Sequence, residues 1–362
     1  MSSSLNIKDY SLYKTKAQLK KPIADATHTL YEISFLVLRI RLENGIEGEA
    51  YLLSFQYSPN AIQGAFRDIL PAIKGFPVNE MGRVTEKLDA LSEYFGNQGI
   101  NRWAQAAVNI AMWDAWGKFL NQPVGKLLGT YKDKCAIYGS GGWISYSVDE
   151  LIEEVSDYVG RGFKAVKIKV GSPNWRTDLE RLKLVRNAVG NGVNIMMDAN
   201  QGMTLPSAIQ LALAAREIDI FWFEEPLNHQ DFDGYKSLKN QTGISLAMGE
   251  REYDSLALKQ LLKDRSLDIW QPDLLRIGSV EAWRESAALA NSYHIPVLPH
   301  YYKDYDVPLV CSIPNGVGVE SFDWIDPLID NPMQVKDGFA FPHEGPGWGF
   351  SFLDECLTPI RL

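Results

Sequence analysis

The 362-residue chain carries 36 Lys plus Arg against 45 Asp plus Glu, and its net charge of −9 excludes a nucleic-acid backbone as the main partner. With 46% hydrophobic and 22% charged residues, the composition is that of a globular protein with a large core rather than a disordered chain. The scattered Cys135, Cys311 and Cys356 make neither a disulfide framework nor a CxxC-type metal site, and no membrane-length apolar run or secretory N-terminal pattern is present, so a cytoplasmic protein is expected.

Residues 30–43 and 47–53 are rich in aliphatic and β-branched side chains and are separated by Asn44-Gly45, a strong hairpin signal; an antiparallel sheet therefore begins the chain. Between about 59 and 128 the apolar spacing becomes helical, as in Trp103, Ala106, Ala107, Ile110 and Trp113. From Cys135 onward, short apolar runs alternate with amphipathic stretches: Ala165–Val170, Asn194–Met197, Ile218–Phe223, Ser245–Met248, Asp268–Gln271, Pro296–Pro299 and Gly316–Val319. This rhythm predicts an α/β fold with enough β-α units to close a TIM-type barrel. The expected domains are an α+β capping segment over 1–130, a barrel over 131–329, and a tail over 330–362 that packs back on the cap.

A polar residue interrupts the C-terminal end of each run: Lys169, Asp198, Glu224, Glu250, Asp273, His300 and Glu320, at intervals of 20 to 29 residues. One β-α unit per interval delivers all of them to the rim where barrel enzymes carry out catalysis. Strand alternation puts Lys167 and Lys169 on one inward face, where mutual repulsion is expected to ease deprotonation of one of them. Asp198, Glu224 and Glu250 supply hard oxygen ligands suited to Mg²⁺, with Trp222 and Glu224 sharing a face and Glu225 offset. Asp273 and His300, on neighbouring strands, form a carboxylate–imidazole pair.

The segments Lys-Ile-Lys-Val-Gly (167–171), Met-Asp-Ala-Asn-Gln (197–201), Phe-Glu-Glu-Pro (223–226), Met-Gly-Glu (248–250), Gln-Pro-Asp (271–273) and Pro-His (299–300) together resemble the mandelate racemase group of the enolase superfamily over nearly the whole chain. The resemblance implies a (β/α)7β barrel with a capping domain, and one Mg²⁺ per subunit holding a substrate carboxylate. It further implies α-proton abstraction, a metal-stabilised enediolate and a homo-oligomer of two to eight subunits. Carried over by motif, Lys169 and His300 are the bases and Asp273 orients His300. Lys167 lowers the basicity of Lys169 and touches the carboxylate, Asn200 contacts the α-substituent, and Glu320 bonds the enediolate oxygen.

Two stretches, Tyr-Gly-Ser-Gly-Gly-Trp (138–143) and Lys-Val-Gly-Ser-Pro-Asn (169–174), resemble the acid-sugar dehydratases of that group, nearest the talarate/galactarate type. Dehydration of an aldonate or aldarate to a 2-keto-3-deoxy acid is therefore expected, with racemisation or lactone cycloisomerisation as alternatives and a non-catalytic binding barrel a remote one. Asp273 stands where the lactonizing relatives place a lysine, which disfavours cycloisomerisation. Further candidate substrate contacts are His28 and Lys21, from a capping loop over roughly 14–30, and Arg276. Gly139-Ser140-Gly141-Gly142 is expected to be a tight turn. Tyr301-Tyr302-Lys303-Asp304-Tyr305-Asp306 and Arg251-Glu252 depart from the dehydratase pattern where they could line the pocket.

Overall fold

The aliphatic runs near the N-terminus pair into a sheet. The computed structural model, which describes residues 3–362, shows β1 (Ile7–Ala17), a small hairpin of β2 (Ile23–Ala24) and β3 (Thr29–Leu30), β4 (Ile33–Leu42) and β5 (Glu47–Leu53). Gly45, at φ 88°, makes the turn that sets β5 antiparallel to β4. Helices α1 (Pro59–Ile69), α2 (Met81–Ser92) and α3 (Gly99–Leu120) complete the cap, and the short α4 (Val124–Leu128) leads into the barrel. A Cβ at Gly48 would come within 2.2 Å of the Ala111 carbonyl, so glycine there is what lets α3 lie against β5.

The repeated units follow as β6 (Cys135–Gly141), α5 (Val148–Gly160), β7 (Ala165–Lys169), α6 (Trp175–Val189), β8 (Asn194–Asp198) and α7 (Leu205–Ala214). They continue with β9 (Ile220–Glu224), α8 (Phe232–Thr242), β10 (Leu246–Met248), α9 (Leu256–Asp264), β11 (Ile269–Trp270), α10 (Leu274–Ile277) and α11 (Val280–Ser292), and end with α12 (Lys303–Cys311) and β12 (Gly318–Ser321). Parallel pairing runs from β6 through β11, and β12 pairs with β6. Val297, bridged to Trp270 and Gly316, closes the remaining gap and completes a (β/α)7β barrel. The expected seventh strand over 296–299 thus shrinks to one bridged residue, because Pro296 and Pro299 have no N–H to give a ladder.

Alternation sorts the side chains as expected. Tyr138, Met196, Trp222, Ala247, Ile269 and Leu298 fill the barrel interior, while Val166, Ile168 and Val170 join the core shared with the helices. The Gly-Ser-Gly stretch departs from expectation: Gly139 through Gly141 are strand, and only Gly142, at φ 60°, turns. A Cβ at Gly139 would meet the Tyr158 ring at 2.2 Å and one at Gly141 the Glu154 carboxylate at 2.2 Å, so these glycines seat α5 against β6.

The tail first adds a hairpin, β13 (Val335–Lys336) and β14 (Phe339–Ala340), to the start of β6, and then sends β15 (Thr358–Ile360) onto β1 of the cap. Between them, Trp348 donates its indole N–H to Ile110 O at 3.0 Å, and the Phe352 amide donates to Glu49 at 2.9 Å.

Candidate active site

A cavity of about 520 Å³ between the barrel rim and the cap is lined among others by Lys169, Asn200, Glu250, Asp273, Arg276, His300 and Glu320 from the barrel and by Asp25 and His28 from the cap, whereas Lys167, Asp198 and Glu224 are fully buried and do not line it. On β7, Lys167 Nζ lies 2.7 Å from Glu224 Oε1, 2.7 Å from Glu320 Oε1 and 3.6 Å from Asp198 Oδ2. Lys169 Nζ lies 2.5 Å from Asp198 Oδ2 and 5.4 Å from the centre of the Trp143 ring.

The three acids proposed as ligands end β8, end β9 and follow β10, and all are buried. Asp198 and Glu224 are direct neighbours in the parallel register. Asp198 Oδ1 accepts the Asn200 amide at 2.9 Å, whereas Glu224 Oε2 accepts from Gln271 at 2.8 Å and from Trp222 at 3.3 Å. Burial, reinforced by Asp198, Glu320 and Glu250, pushes Glu224 up to about 7 in spite of Lys167. Glu250 behaves oppositely: burial would raise it, but His300, Arg251 and Arg276 hold it well below the usual carboxylate range.

As they lie, no three acidic or imidazole groups among the described residues surround a single metal-sized point. Each acid is instead drawn to a cation of the chain: Asp198 to Lys169, Glu224 to Lys167, and Glu250 to Arg251 at 3.2 Å and His300 Nε2 at 3.4 Å. The donor set nevertheless fits Mg²⁺, since three buried carboxylates on adjoining strand ends offer oxygen alone, and Glu224 shows the repulsion that a dication relieves.

His300 Nδ1 lies 2.8 Å from Asp273 Oδ2; because a carboxylate only accepts, Nδ1 carries the proton and Nε2 is left for chemistry. Burial opposes the imidazolium, but Glu250 and Asp273 outweigh it and raise the His300 pKa. The other oxygen of Asp273 caps α10, accepting the Leu275 and Arg276 amides at 2.9 and 3.0 Å. Lys169 does not follow the expectation of a depressed pKa. Burial and Lys167 do lower it, yet Asp198, Glu224 and Glu320 outweigh them and the net shift is upward.

Glu320 is buried, accepting from Ser140 Oγ at 2.6 Å and from the Tyr301 amide at 3.0 Å. Asn200, at φ 41°, has a buried side-chain oxygen without a hydrogen-bond partner. Arg276 lines the cavity and reaches the Glu250 carbonyl. Lys21 is not brought there; its ammonium is tied to Glu150 at the start of α5. Sequence reasoning missed Trp143 and the pair formed by His229 Nδ1 and Glu252 at 2.7 Å. For His229 the signal available was a histidine just beyond Phe-Glu-Glu-Pro.

Residues 9–129 match the mandelate racemase/muconate lactonizing enzyme N-terminal domain, and 150–356 match the enolase C-terminal domain-like family. The chain belongs to the mandelate racemase/muconate lactonizing enzyme family of the enolase superfamily. Relatives within this family include L-talarate/galactarate dehydratase of Salmonella typhimurium, 27% identical across 95% of this chain and 88% of that protein. Arabinonate dehydratase of Saccharolobus solfataricus is 26% identical across 91% of each. The structure of a racemase from Streptomyces coelicolor A3(2) with bound magnesium superposes with a TM-score of 0.92 at 25% identity, covering 97% of this chain and all of that one (100%).

Proposed function

We propose that this family member abstracts the α-proton of an acid-sugar carboxylate through an enediolate anion and expels a β-hydroxyl, yielding a 2-keto-3-deoxy acid. The carrying observation is that Lys169 on the second barrel strand and the His300–Asp273 pair after the seventh stave reach one acid cluster from two sides, touching Asp198 and Glu250 respectively. The likeness to two acid-sugar dehydratases supports the reaction class. Asp198, Glu224 and Glu250 would hold Mg²⁺, which supplies the positive charge that makes an anion next to a carboxylate accessible.

The chain's own residues do the rest. Lys167, fixed between Glu224 and Glu320, offers an ammonium to the substrate carboxylate. Lys169 would take the α-proton as the neutral amine, a form that a metal engaging Asp198 and Glu224 would favour, since those carboxylates, with Glu320, are what raise its pKa. Glu320, held by Ser140 and the Tyr301 amide, keeps Lys167 in place; burial would raise its carboxyl, but Lys167, His300 and Lys169 lower it to about 2, so it acts as a carboxylate acceptor and not as a donor to the anion. His300, with Nδ1 anchored, presents Nε2 to protonate the departing hydroxyl. Asn200, with its free oxygen, receives a hydroxyl near the α-carbon.

Incubation with Mg²⁺ and a panel of aldonates and aldarates is expected to give 2-keto acids detectable with a carbonyl reagent, and complete chelation of the metal to stop their formation. Deuterium entering an unchanged acid, with no keto product from any member of the panel, would assign racemisation instead, the reading favoured by bases on two sides and by the likeness to a magnesium-bound racemase. We assign the chain to the cytoplasm as a homo-oligomer of two to eight subunits, as the resemblance implies; light scattering behind a sizing column tests the second assignment.

A further inference from the structure

His229 lines the cavity from the loop that follows β9, and no step of the proposed reaction engages it. Its Nδ1 lies 2.7 Å from Oε1 of Glu252, on the loop that follows β10. A carboxylate accepts and does not donate, so Nδ1 carries the proton, and Nε2 has no hydrogen-bond partner among the described residues. The arrangement repeats that of His300 with Asp273, three staves earlier in the barrel.

The backbone that carries the ring is fixed from several directions. The His229 amide donates to Gln201 Oε1 at 2.8 Å, the Gln201 amide donates to Glu225 O at 2.7 Å, and Asp231 caps α8 by accepting the Gly234 amide at 2.9 Å. Asn200 and Gln201 hold left-handed backbone, at φ 41° and 66°, in the loop after β8; this turn sets Asn200 in the cavity wall and the Gln201 side chain against His229. From the cap, Thr27 Oγ1 donates to Asn200 O at 3.3 Å. Asn200 and His229 are thus neighbours on adjoining loops, one with an unpartnered buried amide oxygen and the other with an unpartnered ring nitrogen. Tying the β9 and β10 loops together does not require an imidazole, since Arg251, beside Glu252, already reaches Glu225 at 3.2 Å. What the imidazole adds is its second nitrogen.

We propose that His229 is a specificity-determining residue whose Nε2 hydrogen-bonds a substrate hydroxyl beyond the departing one, at C4 or C5, beside the hydroxyl that Asn200 receives. This rests on the acid-sugar reading of the substrate. A hydroxyl can donate to a ring nitrogen whose partner nitrogen holds the proton, and a ring already fixed by Glu252 loses little freedom on binding. The test measures Kd by calorimetry, and kcat and KM by keto-acid formation, on the Mg²⁺-loaded full chain. The probes are aldonates and aldarates of the galacto, gluco and manno series and, for the acid bound best, its 4-deoxy and 5-deoxy forms. His229→Asn puts an amide nitrogen where Nδ1 was and keeps the bond to Glu252. It is expected to weaken binding of that acid about tenfold and to raise KM alike with kcat within about threefold, the loss of one ground-state hydrogen bond. His229→Gln puts its amide where Nε2 was and is expected to stay within about threefold of the parent in Kd. One of the two deoxy acids is expected to bind the parent about tenfold more weakly than the full acid and to lose nothing further on His229→Asn. The side chain is 25% exposed, so neither substitution opens the core.

Tight binding by His229→Asn with weak binding by His229→Gln would show that the imidazole only ties the two loops, and overturns the proposal. An equal drop on His229→Asn for the full acid and both deoxy acids, or no drop for any of them, overturns it too. If the expected pattern holds in Kd while no keto acid forms, dehydration is wrong and the contact stands; keto acid formed with KM unchanged in His229→Asn keeps dehydration and removes the contact. Binding of none of the acids overturns both.

Discussion

Asp273 performs two tasks with two oxygens. Oδ1 caps α10 and Oδ2 receives the His300 Nδ1 proton. Asp273→Asn separates them, because the amide oxygen still caps the helix while its NH2 cannot accept from an Nδ1–H. Keto-acid formation is expected to fall about 10²–10⁴-fold, the usual worth of a positioned acid or base, with the melting temperature nearly unchanged; a large loss of stability would show that the pair is structural. Lys169→Ala and His300→Asn differ in kind. If Lys169 removes the α-proton and His300 serves only the departing hydroxyl, solvent deuterium exchange at the α-carbon survives His300→Asn and is lost in Lys169→Ala. Full keto-acid formation in both variants would sink the assignment of both residues.

The positions of the rim residues were legible because a fixed interval needs only the β-α repeat to be right. What each residue touches was not, since Lys21 finds Glu150 and His229 finds Glu252 through loops whose paths no periodicity dictates. The element that misled most was β6, where glycines that normally signal a turn instead admit α5. Glu154 of that helix accepts the Gly142 amide at 2.5 Å, and burial pushes its carboxyl up to about 7. Unfolded, it ionises near its ordinary 4.5, so between these pH values the native state binds the extra proton and stability falls as pH rises. Glu154→Gln removes this dependence while keeping an acceptor for Gly142. The variant is expected to gain on the order of 2 kcal/mol relative to the parent in urea melts at pH 8 compared with pH 4; parallel pH profiles for the two proteins would exclude Glu154 as the titrating group.

At the scale of the molecule, the question is what holds the cap over the rim. In the cap sheet β5 is an edge strand, and its outward amides need acceptors. The Glu49 amide finds Asp114 of α3 at 2.8 Å, and the next two find the barrel: the Tyr51 amide donates to Tyr305 Oη at 2.9 Å and the Leu53 amide to Tyr302 Oη at 3.1 Å. The segment 301–306, which departs from the dehydratase pattern, thus contributes Tyr301 and Tyr302 to the cavity and Tyr302 and Tyr305 to the clasp on the cap. Leu53 itself lines the cavity, so the clasp also sets the position of the substrate wall. Removing a hydroxyl leaves a buried amide without a partner, at a cost of about 1–3 kcal/mol. Tyr302→Phe with Tyr305→Phe is therefore expected to speed hydrogen exchange at the amides of Tyr51 and Leu53. It should also raise KM more than it lowers kcat, because the catalytic rim stays on its strands while the wall above it loosens. Unchanged exchange at those two amides would mean that the tail strand β15, which ties β1 from the other edge of the sheet, holds the cap without the clasp.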